Sequence, residues 1–191
     1  MRGKEKKIKD NRKKVKKINK RKSNHNINIF KVNGEFKVIP LLMNILIPVL
    51  GGVIIGYLNK NTMNTYEMLK KPIFTPPNNV FPIVWTILYL LMGVAAYRVY
   101  MRNKQGADDK GAYFFYLVQL MFNFMWSFIF FTFRLYGIAF IWLVVLFILV
   151  LITFIKFIRV DKIAAILLIP YMIWLMFAGI LNFFIWMFNE M

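Results

Sequence analysis

Five long apolar runs constrain the fold of this chain more than any other feature. The runs are Val38–Leu58, Val80–Met101, Ala112–Phe133, Leu135–Ile155 and Ile163–Phe188. Each reaches the roughly 20 residues that a helix needs to cross about 30 Å of hydrocarbon. Because backbone polar groups in lipid must be satisfied within the segment itself, each run is predicted to be a transmembrane α-helix. The expected fold class is therefore all-α, an integral membrane bundle of five helices.

The charge of the chain is concentrated before the first run. Residues 1–37 hold 15 of the 26 Lys and Arg residues, and the formal net charge of the whole chain is +18. With no sustained apolar face, residues 1–37 are predicted to be a disordered basic tail, and residues 38–191 to form the membrane domain. Anionic lipid head groups are the favoured partner of this tail, at about 1 kcal/mol per basic residue. Nucleic acid is not an expected partner, because no aromatic residue is interleaved with the charges before Phe30.

The basic residues also predict an orientation. An odd number of spans places 22 Lys and Arg residues on the side of the N-terminus and 4 on the opposite side. Since cytoplasmic loops carry the excess of Lys and Arg, the N-terminus is expected in the cytoplasm and the C-terminus outside. The chain is thus predicted to be a multi-pass protein of the cell membrane.

Several kinds of chemistry are disfavoured by what the runs lack. No Asp, Glu, His or Lys lies in the central part of any run, which argues against an ion-coupled transporter or a proton pump. Cysteine is absent and the one histidine, His25, lies in the tail, so neither a thiolate site nor a histidine-ligated haem is expected within the membrane. The carboxylates fall near membrane surfaces, where no catalytic pair can be assembled at depth. We therefore expect no metal site and no resident cofactor.

The runs do hold aromatic and amide side chains at helical spacing. The second run places Trp85, Leu88, Tyr89 and Met92 on one face. It follows a loop stiffened by Pro72, Pro76 and Pro77, and Pro82 is expected in the first turn of its helix. The third run carries Gln119, Phe122, Asn123, Trp126, Ser127 and Phe130, and the fifth carries Tyr171, Trp174, Phe177, Ala178, Asn182 and Trp186.

Two interpretations of these faces remain open. In one, the faces hold a flat apolar ligand. In the other, the amides bond helices to one another and the tryptophans pack or sit in interfacial belts. The second interpretation is preferred for Trp142 and Trp186, and the first for Trp85 and Trp174. Gly52 and Gly56 suggest a helix-contact face, and Pro170 a local opening in the fifth helix.

Three blocks of the sequence together resemble the translocator protein/tryptophan-rich sensory protein (TspO/MBR) family. They are KPIFTPPNNVFPIVWTILYLLMG, QLMFNFMWSFIFF and DKIAAILLIPYMIWLMFAGILNFFIWMFN, and the resemblance spans about residues 40–189. It implies five transmembrane helices, homodimers and a pocket open toward the first long loop. It also implies binding of tetrapyrroles such as protoporphyrin and haem, and of sterol-like or synthetic aromatic ligands. The sterol-contact pattern of vertebrate members is missing after the fifth run, so the resemblance leaves cholesterol binding open.

The resemblance also implies a set of ligand-binding residues. Carried over by matching position, they are Tyr66, Trp85, Tyr89, Asn123, Ser127, Trp174, Phe177, Ala178 and Asn182. Three functions remain open. The protein could sense, transport or sequester tetrapyrroles. It could degrade porphyrin in the light, as an enzyme-like protein in which Trp85 and Trp174 take part and no other catalytic residue is expected. It could also be a structural or regulatory partner of other membrane proteins that binds no porphyrin.

Overall fold

The computed structural model describes residues 28–107 and 110–191, and these residues form a helical bundle. The first 27 residues of the predicted tail, together with Asp108 and Asp109, lie outside the described part of the chain. The elements are helix α1 (Val38–Asn59), a 3₁₀ turn (Lys60–Thr62), the short α2 (Met63–Met68), α3 (Val80–Lys104), α4 (Lys110–Ser127) with a π-helical turn (Phe128–Thr132), α5 (Tyr136–Val160) and α6 (Lys162–Asn189).

The predicted all-α class and the five spans are confirmed. Within the described residues, α1, α3, α4 with its π-helical turn, α5 and α6 are long and apolar enough to cross a membrane. Their outward faces are apolar and exposed, for example at Ile39, Met43, Ile141 and Ile173. An apolar outer surface is what a bundle surrounded by lipid presents, because lipid tails are as apolar as these side chains.

Alternation of the five helices gives the bundle two ends. The loop end carries residues 60–79, the turn at Arg134 and the C-terminus, whereas the tail end carries the start of α1 and the junction between α5 and α6. The chain makes a tight hairpin at Arg134, where three residues separate the π-helical turn from α5 and Arg134 adopts a φ of 57°. Glu190 closes the same end, accepting hydrogen bonds from the N–H groups of Tyr136 and Gly137 at 2.9 and 3.0 Å. Its carboxylate thus satisfies donors that the first turn of α5 leaves free.

Glycines allow α1 and α3 to approach closely, although not at both predicted positions. A Cβ on Gly93 would lie 2.6 Å from the Cα of Ile45, so the two backbones nearly touch there. A Cβ on Gly52 would lie 2.3 Å from the ring of Tyr89, which confirms a close helix contact. The prediction for Gly56 is wrong, because a Cβ there would meet nothing within 4 Å.

Residues 28–37 also differ from the prediction, which assigned them to the disordered tail. Val32 and Glu35 exchange backbone hydrogen bonds of 2.9 and 3.0 Å around a turn at Asn33 and Gly34. Val32 is completely buried. This segment is ordered because it packs against the tail end of the bundle, a contact that charge composition does not reveal.

Candidate functional site

A cavity of about 500 Å³ lies at the loop end of the bundle. The C-terminal half of α1, the N-terminal half of α3, the end of α4 and the C-terminal half of α6 form its walls, and Tyr66 and Asn78 reach it from the loop. This volume falls within the range of about 300–1,000 Å³ that is usual for small-molecule sites. The lining is largely apolar, with a few amides and hydroxyls placed among aromatic rings.

The structure brings seven of the nine sequence-predicted site residues to this cavity. They are Tyr66, Trp85, Tyr89, Ser127, Trp174, Ala178 and Asn182. The other two, Asn123 and Phe177, lie directly behind the lining. Asn123 accepts a hydrogen bond of 2.9 Å from the hydroxyl of Tyr89, and its amide N–H donates to Tyr171 over 3.2 Å. Phe177 packs against Trp174, with ring centroids 5.3 Å apart.

Asn123 therefore positions the cavity wall rather than forming it. It is buried, and its two hydrogen bonds join α4 to Tyr89 on α3 and to Tyr171 on α6. Burying an amide is costly unless its polar atoms are paired, so this network holds three helices in one arrangement. The Tyr89 ring is consequently kept in place against the cavity.

Two tryptophans present aromatic surface from different helices. Trp85 on α3 packs beside Tyr89 with ring centroids 5.5 Å apart, and against Tyr171 at 6.2 Å. Trp174 on α6 packs edge-on to Phe81 at 5.9 Å. Each indole is only partly buried, because the cavity lies on its other side. The site can thus contact a flat ring from two directions.

Two buried polar atoms at the cavity lining lack partners among the described residues. The indole Nε1 of Trp174 and the hydroxyl of Tyr66 are buried and accept or donate no hydrogen bond within that part of the chain. Burial raises the pKa of Tyr66 to about 12, so its phenol stays protonated at neutral pH. Both groups are therefore available as donors to an acceptor atom on a bound molecule.

Sequence reasoning left Trp126 out of the predicted site, although it lines the cavity. Its Nε1 donates to Oδ1 of Asn182 over 3.2 Å, and its ring stacks on Phe130 with centroids 5.1 Å apart. The helical spacing of Trp126, Ser127 and Phe130 was a usable signal. The sequence contained no usable signal for the π-helical turn that begins at Phe128, although this turn directs Phe130 and Phe131 to the lining. Such π-turns occur often at functional sites.

Of the three lysines near the loop end, one lines the cavity. Among the described residues, Lys60 is the cation of the lining, and that lining contains no carboxylate. Lys71 instead donates to the carbonyl of Tyr66 over 3.1 Å, and its amine lies 4.5 Å from the centre of the Tyr66 ring. The backbone of Lys70 is paired with the side chain of Asn189 in both directions, at 3.0 and 2.9 Å. These two lysines therefore hold the loop rather than face the cavity.

The tryptophans that were interpreted as structural do pack within the bundle. Trp142 stacks on Phe122 with centroids 4.5 Å apart and donates from Nε1 to the Phe122 carbonyl over 2.9 Å. Trp186 stacks beside Phe140 at 6.1 Å. Neither lines the cavity. The predicted opening at Pro170 contributes nothing to the site either, because this residue is exposed on the outer face of α6.

Comparison with known proteins agrees with the architecture. Residues 44–187 match the model of the TspO/MBR family. The chain is 36% identical over 124 residues to Protein CrtK of Rhodobacter capsulatus, covering 65% of this chain and 78% of that protein. It is 39% identical over 118 residues to the tryptophan-rich sensory protein of Cereibacter sphaeroides, covering 62% and 72% respectively. It is also 32% identical over 157 residues to the translocator protein of Bos taurus, covering 80% and 91%.

Proposed function

Because the chain belongs to the TspO/MBR family of membrane proteins, we propose that its cavity binds tetrapyrroles such as protoporphyrin and haem, together with similar flat apolar ligands. The protein would then act in sensing, transport or sequestration of these molecules. The observation that carries the proposal is the pair of indoles, Trp85 and Trp174, which border one cavity from different helices.

The cavity matches the chemistry of a porphyrin in two respects. Its aromatic walls can stack on a planar ring, and each such contact is worth about 1–3 kcal/mol by analogy with other flat ring systems. Lys60 and Asn78 stand at its mouth, where a cation and an amide can meet propionate groups. Since the only histidine of the chain is His25, binding rests on ring and edge contacts rather than on axial ligation. Metal-free protoporphyrin should therefore bind at least as tightly as haem.

A titration of purified protein with protoporphyrin in the dark, followed by porphyrin absorbance, tests the proposal. Trp85→Phe and Trp174→Phe should each fold and bind more weakly, because phenylalanine offers a smaller stacking surface. Trp142→Phe is the matched control and should bind normally, since Trp142 stacks on Phe122 away from the cavity. An equal loss in the control would place the binding site elsewhere. Absence of saturable binding would instead favour a purely structural or regulatory role.

Light-dependent porphyrin degradation is the second candidate function. Three of the five tryptophans, Trp85, Trp126 and Trp174, line the cavity, and the Trp174 Nε1 has no partner among the described residues. Indole is readily oxidised and phenylalanine is not, so Trp85 and Trp174 are the residues on which this activity would depend. Illumination of the porphyrin complex should then give a new product that neither phenylalanine variant forms. If the porphyrin spectrum survives illumination unchanged, binding alone remains.

The proposal also includes the orientation of the bundle in the membrane and its oligomeric state. The distribution of Lys and Arg supports an orientation with the tail end at the cytoplasmic face of the cell membrane and Met191 outside. Residues 38–191 act as the membrane domain, and the family resemblance favours a homodimer. Cross-linking of the protein in native membranes would test the dimer, since a monomer yields no band at twice the mass.

A further inference from the structure

A short hairpin at residues 28–37 is attached to the tail end of the bundle. Its turn residues, Asn33 and Gly34, have φ values of 49° and 85°. Positive φ at both central positions is the geometry of a tight two-residue hairpin, for which Asn-Gly is a favoured pair. The N–H and carbonyl groups of Val32 and Glu35 bond to each other across the turn. The segment thus has a defined local structure immediately before α1.

This hairpin lies at the level where α1 begins. Val32 is completely buried among side chains that include Leu41 in the first turn of α1, and Tyr97 and Met101 near the end of α3. The N–H of Lys37 donates to the hydroxyl of Tyr97 over 3.1 Å. Because α1 is a membrane-spanning helix, a segment packed against its first turn lies at the membrane surface.

A buried arginine determines which side of the segment faces outward. Arg98 is 3% exposed, and its Nη1 donates to the carbonyls of Asn28, Ile29 and Lys31 at 3.4, 2.6 and 3.2 Å. Its remaining nitrogens pair with Asp161, which compensates the buried charge. With those carbonyls directed inward, the neighbouring side chains point away from the bundle.

The outward side of the hairpin combines apolar and cationic side chains. Ile29, Phe30 and Phe36 are 42%, 46% and 48% exposed. Lys31 and Lys37 are exposed beside them, and Lys37 pairs with the exposed carboxylate of Glu35 at 3.4 Å. Aromatic and aliphatic groups interleaved with lysines are typical of surfaces that lie in the head-group region of a bilayer.

We propose that residues 28–37 are a membrane-docking element, which Arg98 holds against the bundle so that its apolar side chains enter a leaflet rich in anionic lipid. Charge complementarity selects this occupant, because residues 1–37 carry 15 Lys and Arg residues and three acidic residues. None of this depends on what the cavity binds.

The absence of cysteine makes a direct test possible. Phe30→Cys, labelled with the environment-sensitive fluorophore NBD, is placed in nanodiscs of phosphatidylcholine alone or mixed with phosphatidylglycerol. In the mixed discs we expect a blue-shifted emission and loss of quenching by aqueous iodide. High salt should weaken both effects, because screening shortens the range of the attraction. Identical emission and quenching in the two lipid compositions would overturn the proposal.

Two further variants test whether the hairpin itself is required. Gly34→Val strains the positive φ, although a Cβ there meets nothing within 4 Å, so the bundle should fold normally while the lipid response is lost. Arg98→Gln should also lose it. Arg159→Gln, which removes an exposed cation without a bond to the hairpin among the described residues, should retain it. A full response in Gly34→Val would overturn the proposal. The proposal would also be overturned if the label were protected from iodide in neutral discs and a single-stranded oligonucleotide changed that protection, because this result would indicate a nucleic-acid-binding surface.

Discussion

Asp161→Asn should destabilise the bundle more than any other substitution of similar size at its tail end. Asp161 is 4% exposed and lies between α5 and α6. Its carboxylate accepts hydrogen bonds of 2.9 Å from both Nε and Nη2 of Arg98, and of 3.1 Å from Nε of Arg102. It also accepts from the N–H of Ala164 at 2.9 Å, which caps the start of α6. One side chain therefore joins α3 to α6 and, through Arg98, to residues 28–31.

The magnitude follows from what asparagine keeps and what it loses. The amide oxygen can still cap α6, so the cap contribution of about 1 kcal/mol is retained. The negative charge is lost, and the amide N–H group faces a buried guanidinium with which it cannot bond. Removing one partner of a buried ion pair costs about 3–5 kcal/mol, because the other charge is left uncompensated. Asp161→Ala should cost about 1 kcal/mol more, since the cap is lost as well.

The same contacts set the dependence on pH. Burial on its own would raise the pKa of Asp161, but hydrogen bonds from Arg98, Ala164 and Arg102 and the charge of Arg98 hold the pKa below its ordinary value of 3.8. A lowered pKa means that the stabilisation is fully present above pH 3.8 and is lost as the pH falls through the folded-state pKa. The difference between wild type and Asp161→Asn should accordingly be constant at neutral pH and should shrink in acid.

Unfolding of the detergent-solubilised protein, followed by circular dichroism, measures these differences. Combining Asp161→Asn with Arg98→Met should recover part of the loss, because the uncompensated cation is removed. Recovery should be incomplete, since Arg98 also bonds the carbonyls of residues 28–31. If Asp161→Asn unfolded within about 0.5 kcal/mol of wild type, the effect of an ordinary surface substitution, the ion pair would not stabilise the bundle as described.

Three further outcomes are expected. Gly56→Phe should fill the cavity and lower porphyrin affinity. Gly56→Ala should bind porphyrin normally and stabilise α1 by about 0.5–1 kcal/mol, because a Cβ there meets open space. Gly52→Ala should bind porphyrin less well, since its Cβ would lie 2.3 Å from the ring of Tyr89. Glu190→Gln should lower the melting temperature measured by circular dichroism, because the carboxylate accepts from two backbone N–H groups at the start of α5; an unchanged melting temperature would show that this cap is dispensable. A reporter that is active only outside the cell should work when fused after Met191 and fail between α3 and α4, and the reverse pattern would invert the proposed orientation.

Much of the candidate site could be predicted from sequence because helical periodicity puts particular side chains on one face. Trp85 and Tyr89 are four residues apart, as are Trp174 and Ala178, and each pair faces the cavity. Asn123 and Phe177 lie on the same faces but one layer deeper, where they pack or bond to lining residues instead. Periodicity specifies a face but not a depth, which depends on how far apart neighbouring helices stand. The sequence therefore predicted the walls better than it predicted which atoms touch the cavity.

The length and hydropathy of the apolar runs determined the all-α class, the number of spans and the alternation of the helices, because a lipid-embedded backbone has to satisfy its hydrogen bonds within each segment. Tertiary structure alone decided three other features. The π-helical turn directs Phe130 and Phe131 to the cavity. A cavity-facing Gly56 stands where a helix contact was expected. Arg98 binds Asp161, which lies 63 positions away in the sequence. From the sequence alone, Arg98 cannot be distinguished from the other basic residues at the membrane surface. Its burial depends on a carboxylate from another helix and on carbonyls that only the folded hairpin brings within reach.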